Sequence, residues 1–415
     1  MSFGVRPRLR PVDWSDIDAK GRSIRRQRQR EPSPEPYYPS TSDPGYPPAK
    51  RRKQGPLELP PVYYPPTLSP SEKIWRDRCG YLYQRGYQLR PRYQPNWTPT
   101  CLGNGRHYHS GEDHTMQILP QVLDGVRRQD GLVVCIKMIQ DPKKMRQIKV
   151  VEYFSTRRMS SDTRNHVVPF YDTFGDSFSP HIQYMVMPVL RKFDDPEFLS
   201  VCEVVDFVSQ VLEGLSFLHE NNVAHHNLTG EHIMMDAKSI IPTGWHFVSH
   251  FCEPDGMTKI SPLERKHLPV RYYFVGFGNC YHIPPNTTPL VRDIGGNDGD
   301  VPELLAGKPY DPFKLDIYTL GNVFLKDLLR KYHSLDFLND LIDYMRTSDF
   351  TQRPNAQMVL RLWYRIRDGL DEDAIENWRL RFKDPNVRPR YSEEPSSAAS
   401  STRSNKRDIS SILNL

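Results

Sequence analysis

The stretch Val223-Ala-His-His-Asn227-Leu-Thr-Gly-Glu-His232-Ile-Met-Met places polar and ionisable side chains between short apolar runs. In a second stretch, Tyr272-Tyr-Phe-Val-Gly276-Phe277-Gly278, an apolar run is followed by a Phe between two glycines. A third, Val134-Cys-Ile-Lys137, carries one charge inside a strand-like run. A charge on a half-buried strand needs a partner, unless its aliphatic stem carries it out to solvent. Lys137 is therefore a candidate site residue.

These stretches resemble three segments of protein kinases, which read H-R-D-L-x-x-x-N, D-F-G and V-A-I-K. On that resemblance, Asn227 stands at the position of the catalytic Asp. His232 stands at the metal-binding Asn position, and Gly276 stands at the metal-binding Asp position. Lys137 is retained, and the resemblance implies that it contacts nucleotide phosphates.

The three replaced residues stand at positions that accept a proton or bind metal in kinases. The amide of Asn227 can align a hydroxyl group but cannot accept its proton at physiological pH. Mg²⁺ prefers hard oxygen ligands, whereas Gly276 offers a backbone carbonyl and His232 an imidazole nitrogen. A G-x-G-x-x-G loop is also missing before Lys137, since Gly125 is the only glycine in residues 117–125. We therefore expect ATP binding to be weak at most and Mg²⁺ binding to be absent.

Kinases pair the strand Lys with a Glu on the following helix. The only Glu in residues 144–156 is Glu152, whereas the resemblance puts the paired position near Lys149. A Lys there would repel Lys137. Glu152, one helical turn away, is thus the candidate partner.

Residues that hold the kinase fold together are retained. His225 and Phe277 are expected to stack in the apolar column that joins the two lobes. Glu303, in a Val-Pro-Glu segment that resembles A-P-E, is expected to pair with Arg353. Asp316, in a segment that resembles D-x-W-x-x-G, would anchor the backbone of the segment that resembles the catalytic loop. Breaking a buried ion pair costs about 3–5 kcal/mol, so folding alone is a reason to keep both partners.

A wider set of stretches resembles a protein-kinase-domain family abundant in basidiomycete fungi, whose members usually read H-R-D and D-F-G at the altered sites. These stretches are Leu89-Arg-Pro-Arg-Tyr, Arg164-Asn-His-Val-Val-Pro, Met187-Pro-Val-Leu, Val205-Asp-Phe, Phe217-Leu-His-Glu and Tyr310-Asp-Pro-Phe. The resemblance covers about residues 72–375. It implies a two-lobed α+β fold that holds nucleotide between the lobes, near Lys137 and the hinge residues Met187 and Val189.

The apolar periodicity agrees with this fold class. Asp130-Gly131 separates two strand-like runs, residues 122–126 and 132–139, which predicts a hairpin. Helical spacing dominates later, over residues 201–218, 315–329, 337–345 and 355–366. Strands first and helices later predict an N-lobe at residues 72–188 and a C-lobe at residues 189–375.

About 48 residues separate Asn227 from Gly276, more than these two motifs need. We expect the excess, residues 240–268, to be a surface insertion. It contains His246, His250 and Cys252, whose spacing faintly suggests a metal site without an evident fourth ligand.

The ends of the chain differ in composition from its middle. Residues 1–70 hold 15 of the 38 prolines, and 13 Lys and Arg against 7 Asp and Glu. This excess equals the net charge of +6 of the whole chain, so a nucleic-acid partner is not expected except through this basic tail. We predict disordered tails at residues 1–71 and 376–415. The cluster from Lys50 to Lys53 resembles a nuclear-import signal.

The sequence predicts a pseudokinase, a kinase fold that acts as a binding or allosteric module with protein partners. One alternative is an active Ser/Thr kinase with unusual metal ligands such as Glu231 or Asp236. Another is a nuclear scaffold that acts through its tails. The scattered cysteines and the lack of a long apolar run predict an intracellular protein, nuclear or cytoplasmic, without a membrane span.

Overall fold

A computed structural model describes residues 67–98, 119–292 and 299–391. The predicted nuclear-import cluster and almost all of residues 1–71 lie outside these ranges, as does the chain beyond residue 391. The described residues form a two-lobed α+β fold with a small sheet-rich N-lobe and a larger helical C-lobe, as predicted. None of the helices in these ranges is long and apolar enough to cross a membrane.

The N-lobe is an antiparallel sheet of five strands in the order β1-β2-β3-β5-β4. The strands are β1 (Tyr87–Leu89), β2 (Val122–Arg127), β3 (Val133–Ile139), β4 (Asp172–Gly175) and β5 (Gln183–Pro188). The predicted hairpin of β2 and β3 is confirmed. The pairing of β3 with β5 sets Lys137 opposite Met185 and Cys135 opposite Met187, at the edge of the cleft.

Helix α1 (Pro70–Gln84) packs on this sheet. Ser69 and Glu72 cap its first turn: the Ser69 hydroxyl accepts the backbone N–H of Glu72, and the Glu72 carboxylate accepts the backbone N–H of Ser69. The Glu72 carboxylate also accepts from Arg92 at 2.6 Å, with both side chains buried. Trp75 is fully buried against Tyr184 of β5, which fixes the helix to the sheet.

Two short helices, α2 (Arg146–Phe154) and α3 (Arg157–Ser160), connect β3 to β4. The C-lobe is built around α4 (Val201–Glu220), whose apolar positions are buried along its length. Its other helices are α5 (Pro302–Ala306), α6 (Pro312–Val323), α7 (Asn339–Met345), α8 (Ala356–Asp368) and α9 (Glu372–Asn377). The predicted helix over residues 315–329 is α6 followed by a π-helical turn, Phe324–Leu329.

Small sheets at the top of the C-lobe carry the site segments. Strands β6 (Arg191–Lys192), β8 (Ile233–Asp236) and β9 (Arg271–Phe274) form one antiparallel sheet. Strands β7 (Val223–Ala224) and β10 (Tyr281–His282) form another. Because Ile233 pairs with Phe274, the residue before β8 and the residues after β9 meet at one end of the sheet.

The insertion at residues 240–268 is only partly at the surface, so the prediction of a surface insertion is wrong for its inner part. Ile240 and Ile241 are buried in the main core, and Arg265 is buried as well. The Arg265 guanidinium donates to the carbonyl oxygen of Phe193 at 2.8 Å. Met257, by contrast, is exposed.

The prediction of a disordered C-terminal tail is wrong for residues 376–391. The backbone N–H of Leu380 donates to the carbonyl oxygen of Leu199 at 2.9 Å, and the Phe382 ring stacks on Tyr332. The Tyr391 hydroxyl donates to Asp195 at 2.7 Å. These aromatic side chains hold residues 376–391 on the C-lobe although the surrounding sequence is polar.

A pair of glycine substitutions tests the packing of α4. A Cβ atom on Gly214 would lie 2.6 Å from His166 Cβ, so we expect Gly214→Ala to destabilise the protein by about 1–3 kcal/mol. Gly80 on α1 has no such neighbour within 4 Å, so Gly80→Ala is expected to stabilise by about 0.5–1 kcal/mol. Urea unfolding of both variants measures the difference; equal effects would contradict the close approach at Gly214.

Candidate functional site

A cavity of about 500 Å³ lies between the two lobes. It brings together one predicted residue from each of the three sequence stretches, since Lys137, His232 and Gly276 all line it. The hinge residue Met187 lines it too, whereas Val189 does not. Asn227 is buried and is also not part of the lining.

The partner of Lys137 is a glutamine. Lys137 Nζ donates to Gln147 Oε1 at 2.7 Å. The expectation of Glu152 is therefore wrong. Gln147 lies on the buried face of α2 with Val150, Val151 and Phe154, so it is the polar residue which that helix turns towards the sheet. The helical pattern could have identified it, because it precedes these apolar residues by three, four and seven positions.

This partner is neutral where kinases have a carboxylate. Burial lowers the pKa of the Lys137 ammonium, and the nearby Lys144 lowers it further. An amide oxygen accepts a hydrogen bond from Lys137 but does not neutralise its charge. The cleft therefore holds a cation whose hydrogen bond goes to an uncharged group.

His232 and Gly276 occupy a shared space. The backbone N–H of Val275 donates to the His232 carbonyl oxygen at 3.0 Å, which sets the imidazole beside Gly276. A Cβ atom on Gly276 would lie 2.1 Å from His232 Cδ2 and 2.7 Å from its Nε2. Gly276 also has a φ of +83°. The imidazole ring thus fills the volume that any side chain at position 276 would need.

The His232 ring is uncharged. Burial lowers the pKa of His232 to about 3, and electrostatic interactions with His225 and Lys137 act in the same direction. Its Nδ1 atom lies 3.1 Å from the Thr229 hydroxyl oxygen. A neutral ring beside Lys137 avoids a repulsion that an imidazolium would create.

The side chains present do not fit Mg²⁺. Neither His232 nor Gly276 supplies a hard oxygen from its side chain. Glu231 lines the cavity but pairs with Lys192 at 3.1 Å and is 77% exposed. Asp236 lies at the far end of β8, opposite Arg271, and not in the cavity lining. In the described ranges, no three His, Cys, Asp or Glu side chains group closely enough to hold a metal ion.

The segment around Asn227 is anchored from below. Asp316 on α6 accepts the backbone N–H groups of His225 and His226, each at 2.7 Å. Its carboxylate also contacts His219 Nε2 at 3.0 Å. His226 has a φ of +65° and its ring stacks on Tyr310. Asp316 therefore lies where the sequence placed it, under the backbone of this segment.

The other retained residues also lie in their predicted arrangements. The rings of His225 and Phe277 are in contact, with centroids 4.7 Å apart. His225 Nε2 donates to the Val275 carbonyl oxygen at 2.8 Å. Arg353 and Glu303 form a buried two-pronged ion pair, with N–O distances of 2.5 and 3.1 Å. The scaffold is thus in place around a cleft with altered chemistry.

The buried imidazoles predict acid sensitivity. His166 and His232 have pKa values of about 4 and about 3, lowered mainly by burial, against about 6.5 in an unfolded chain. The unfolded state therefore binds more protons below about pH 6.5, and the free energy of unfolding falls as the pH falls. Near pH 4.5, His232 alone should account for about 2–3 kcal/mol of that loss.

The variant His232→Asn cannot titrate at this position. We expect its free energy of unfolding to fall less steeply between pH 6.5 and pH 4.5 than that of the unmodified protein. Urea unfolding at several pH values measures both slopes, with pH 8 as the common reference. Parallel curves would show that His232 is not held neutral by the fold.

Comparison with known proteins agrees with this architecture. The model of the protein kinase domain family matches residues 119–246. Serine/threonine-protein kinase shk1/pak1 of Schizosaccharomyces pombe is 25% identical over 168 residues, 39% of this chain and 20% of that protein. Serine/threonine-protein kinase chk1 of the same yeast is 22% identical over 213 residues, 48% of this chain and 36% of that protein.

The chain therefore aligns with only about a fifth to a third of the length of these relatives. The matched region runs from the start of β2 through β3, the hinge and β8 into the insertion, and so includes Lys137, Asn227 and His232. Together with the two-lobed architecture, this match shows that the chain has the fold of a protein kinase domain.

Proposed function

We propose that this protein is a pseudokinase, a kinase fold that works as a binding or allosteric module for protein partners. The observation that carries the proposal is the contact between His232 and Gly276. Both metal-binding positions are altered, and the ring at one fills the space of the other. Because the two replacements fit each other, they favour a site that is adapted to work without metal over one that lost a single ligand by chance.

Further support comes from the contrast between chemistry and scaffold. Asn227 replaces the proton acceptor, and Gln147 replaces the carboxylate partner of Lys137. The ion pair of Glu303 with Arg353 is kept in full. A protein that needs its folded surface but not phosphoryl transfer has reason to keep the buried ion pair, which stabilises the fold, and no reason to keep the catalytic residues.

Nucleotide binding in this proposal is weak and independent of metal. Lys137 offers one phosphate contact, and no metal bridges the phosphates to the protein. With millimolar ATP, we expect the melting temperature to rise by less than about 2 °C, equally with and without Mg²⁺. Differential scanning fluorimetry measures the shift, with Lys137→Met as the control that removes the contact. A large shift that requires Mg²⁺ would count against the proposal.

The retained Lys137 favours a second candidate, an active kinase that phosphorylates Ser or Thr hydroxyls. The relatives named above are serine/threonine-protein kinases, which is consistent with either candidate. Transfer of radiolabelled phosphate from ATP to a mixture of protein substrates separates the two. Incorporation that both Lys137→Met and Asn227→Ala abolish would establish the active kinase, whereas the pseudokinase predicts none above a sample without protein.

A role as a nuclear scaffold depends on the tails, which lie outside the described residues. Deletion of residues 50–53 in a fluorescent fusion tests the nuclear-import cluster. Loss of nuclear accumulation on deletion would support this role, and an unchanged distribution would refute it.

A further inference from the structure

The insertion supplies one wall of the cavity between the lobes. Trp245, Phe247, Val248 and His250 line the same cavity as Lys137. The lining also includes Val122 of β2 and Met185 of β5. The insertion thus contributes aromatic and aliphatic side chains to the wall of the cavity.

This wall is fixed by hydrogen bonds at its centre. The His246 imidazole is buried, and its Nδ1 atom accepts the backbone N–H groups of Val248 and Ser249 at 3.2 and 2.9 Å. The backbone N–H of His246 donates to the Cys252 carbonyl oxygen at 2.8 Å. These bonds hold Phe247 and Val248 in a tight loop that faces the cavity.

The wall also contacts both lobes. His246 Nε2 lies 3.3 Å from Arg90 Nη1, just after the first strand of the N-lobe. The Arg191 guanidinium lies 5.7 Å from the centre of the Trp245 ring, below the hinge. The insertion therefore lies against both lobes, and its inner side chains form part of the cavity wall.

Among the described residues that line the cavity, Lys137 is the one basic side chain. Lys137 gives its hydrogen bond to the neutral Gln147, and no carboxylate contributes to the shift of its pKa. Burial lowers the pKa of the His232 imidazole to about 3 and also lowers the pKa of His250, so it disfavours the charged form of both rings. The carboxylate of Glu231 is directed to Lys192 and solvent. A cation in a largely apolar cavity is more stable when an anion joins it.

On the basis of the pseudokinase function proposed above, we infer that this cavity binds a flat apolar molecule with a single acid group, such as an aryl carboxylate. The acid group pairs with Lys137, and the rings pack between Met185 and the wall formed by Trp245 and Phe247. The volume falls in the range of about 300–1,000 Å³ that is usual for small-molecule sites. A nucleoside triphosphate fits less well, because it brings several negative charges and no metal to balance them.

Two dyes with the same rings test this inference. Anilinonaphthalene sulfonate carries one negative charge, and phenylnaphthylamine carries none; both fluoresce more strongly in apolar surroundings. We expect the anion to bind the unmodified protein about tenfold more tightly than the neutral dye, the effect of one charge-assisted hydrogen bond. Lys137→Met should remove this preference while the neutral dye still binds.

Variants of the insertion locate the site. Trp245→Ala and Phe247→Ala should each weaken both dyes, because they remove part of the wall. Met257→Ala is the matched control, since Met257 is an exposed residue of the same insertion that does not line the cavity. It should leave both affinities unchanged. Circular dichroism and melting curves confirm that each variant is folded.

Three results would overturn the inference. One is an unchanged preference for the anion in Lys137→Met, and another is unchanged dye binding in both wall variants. The third is displacement of the dye by micromolar ATP with Mg²⁺, which would assign the cavity to nucleotide. Phosphate transfer is measured separately, so failure of the ligand class and failure of the proposed function can be told apart.

Discussion

Gly276→Asp is expected to destabilise the protein by about 2–5 kcal/mol, and His232→Asn in the same chain is expected to recover about 1–3 kcal/mol. A side chain at position 276 meets the His232 ring at 2.1 Å and must also adopt a φ of +83°. If the His232 ring rotates away, it loses the contact of its Nδ1 atom with the Thr229 hydroxyl at 3.1 Å. The shorter Asn vacates the volume of the ring and leaves only the backbone strain.

A matched control separates the clash from the strain. Gly131 has a φ of +74° with no neighbour near a Cβ atom, so Gly131→Asp carries the strain alone. We expect Gly131→Asp to lower the free energy of unfolding by about 1 kcal/mol, and its effect to add to that of His232→Asn without coupling. Urea unfolding of the single and double variants completes both cycles. His232→Asn should stabilise the Gly276→Asp variant more than it stabilises the Gly131→Asp variant. If it does not, His232 and a side chain at position 276 do not compete for the same volume.

This coupling changes how kinase chemistry would be restored. From the sequence, Asn227→Asp with Gly276→Asp is the natural pair of reversions. The structure requires His232→Asn as a third change, because the Asp at position 276 has no room without it. We therefore expect the double reversion to be unstable and the triple variant to be the form in which restored phosphotransfer is worth assaying.

Arg353→Met is expected to destabilise the protein by about 3–5 kcal/mol. The Arg353 side chain is fully buried and holds Glu303 through both nitrogens of its fork. It also donates to the carbonyl oxygens of Thr347 and Lys314 at 2.9 and 2.8 Å. Its removal leaves a buried carboxylate with neither its cation nor its hydrogen bonds.

The control is an exposed pair in the same lobe. Arg367 and Asp368 approach to 2.8 Å with side chains 37% and 64% exposed, so Arg367→Met should cost less than about 1 kcal/mol. In Arg353→Met, a further Glu303→Leu should return part of the stability, because no charge then remains buried. Thermal and urea unfolding measure these effects. A cost for Arg353→Met equal to that of the exposed control would contradict a structural ion pair.

The sequence by itself determined the fold class and much of the cleft. Asp130-Gly131 between two apolar runs predicted the β2–β3 hairpin, and helical spacing predicted the long helix α4, since both patterns arise from local geometry. The order of the motifs predicted that Lys137 and Gly276 would meet in one cleft. The pairing of Glu303 with Arg353 followed in the same way, because a shared fold fixes which distant segments come together.

Only the tertiary structure decided what these residues touch. Gln147 became the partner of Lys137 because the buried face of α2 carries it to the sheet, and the nearest Glu in sequence lies elsewhere. His232 and Gly276 were two separate substitutions until the pairing of β8 with β9 set them side by side. Residues 240–268 turned inwards because buried Ile240, Ile241 and Arg265 anchor them, a preference that depends on surfaces from distant parts of the chain. Local patterns determine elements, whereas contacts between elements depend on packing that no single segment encodes.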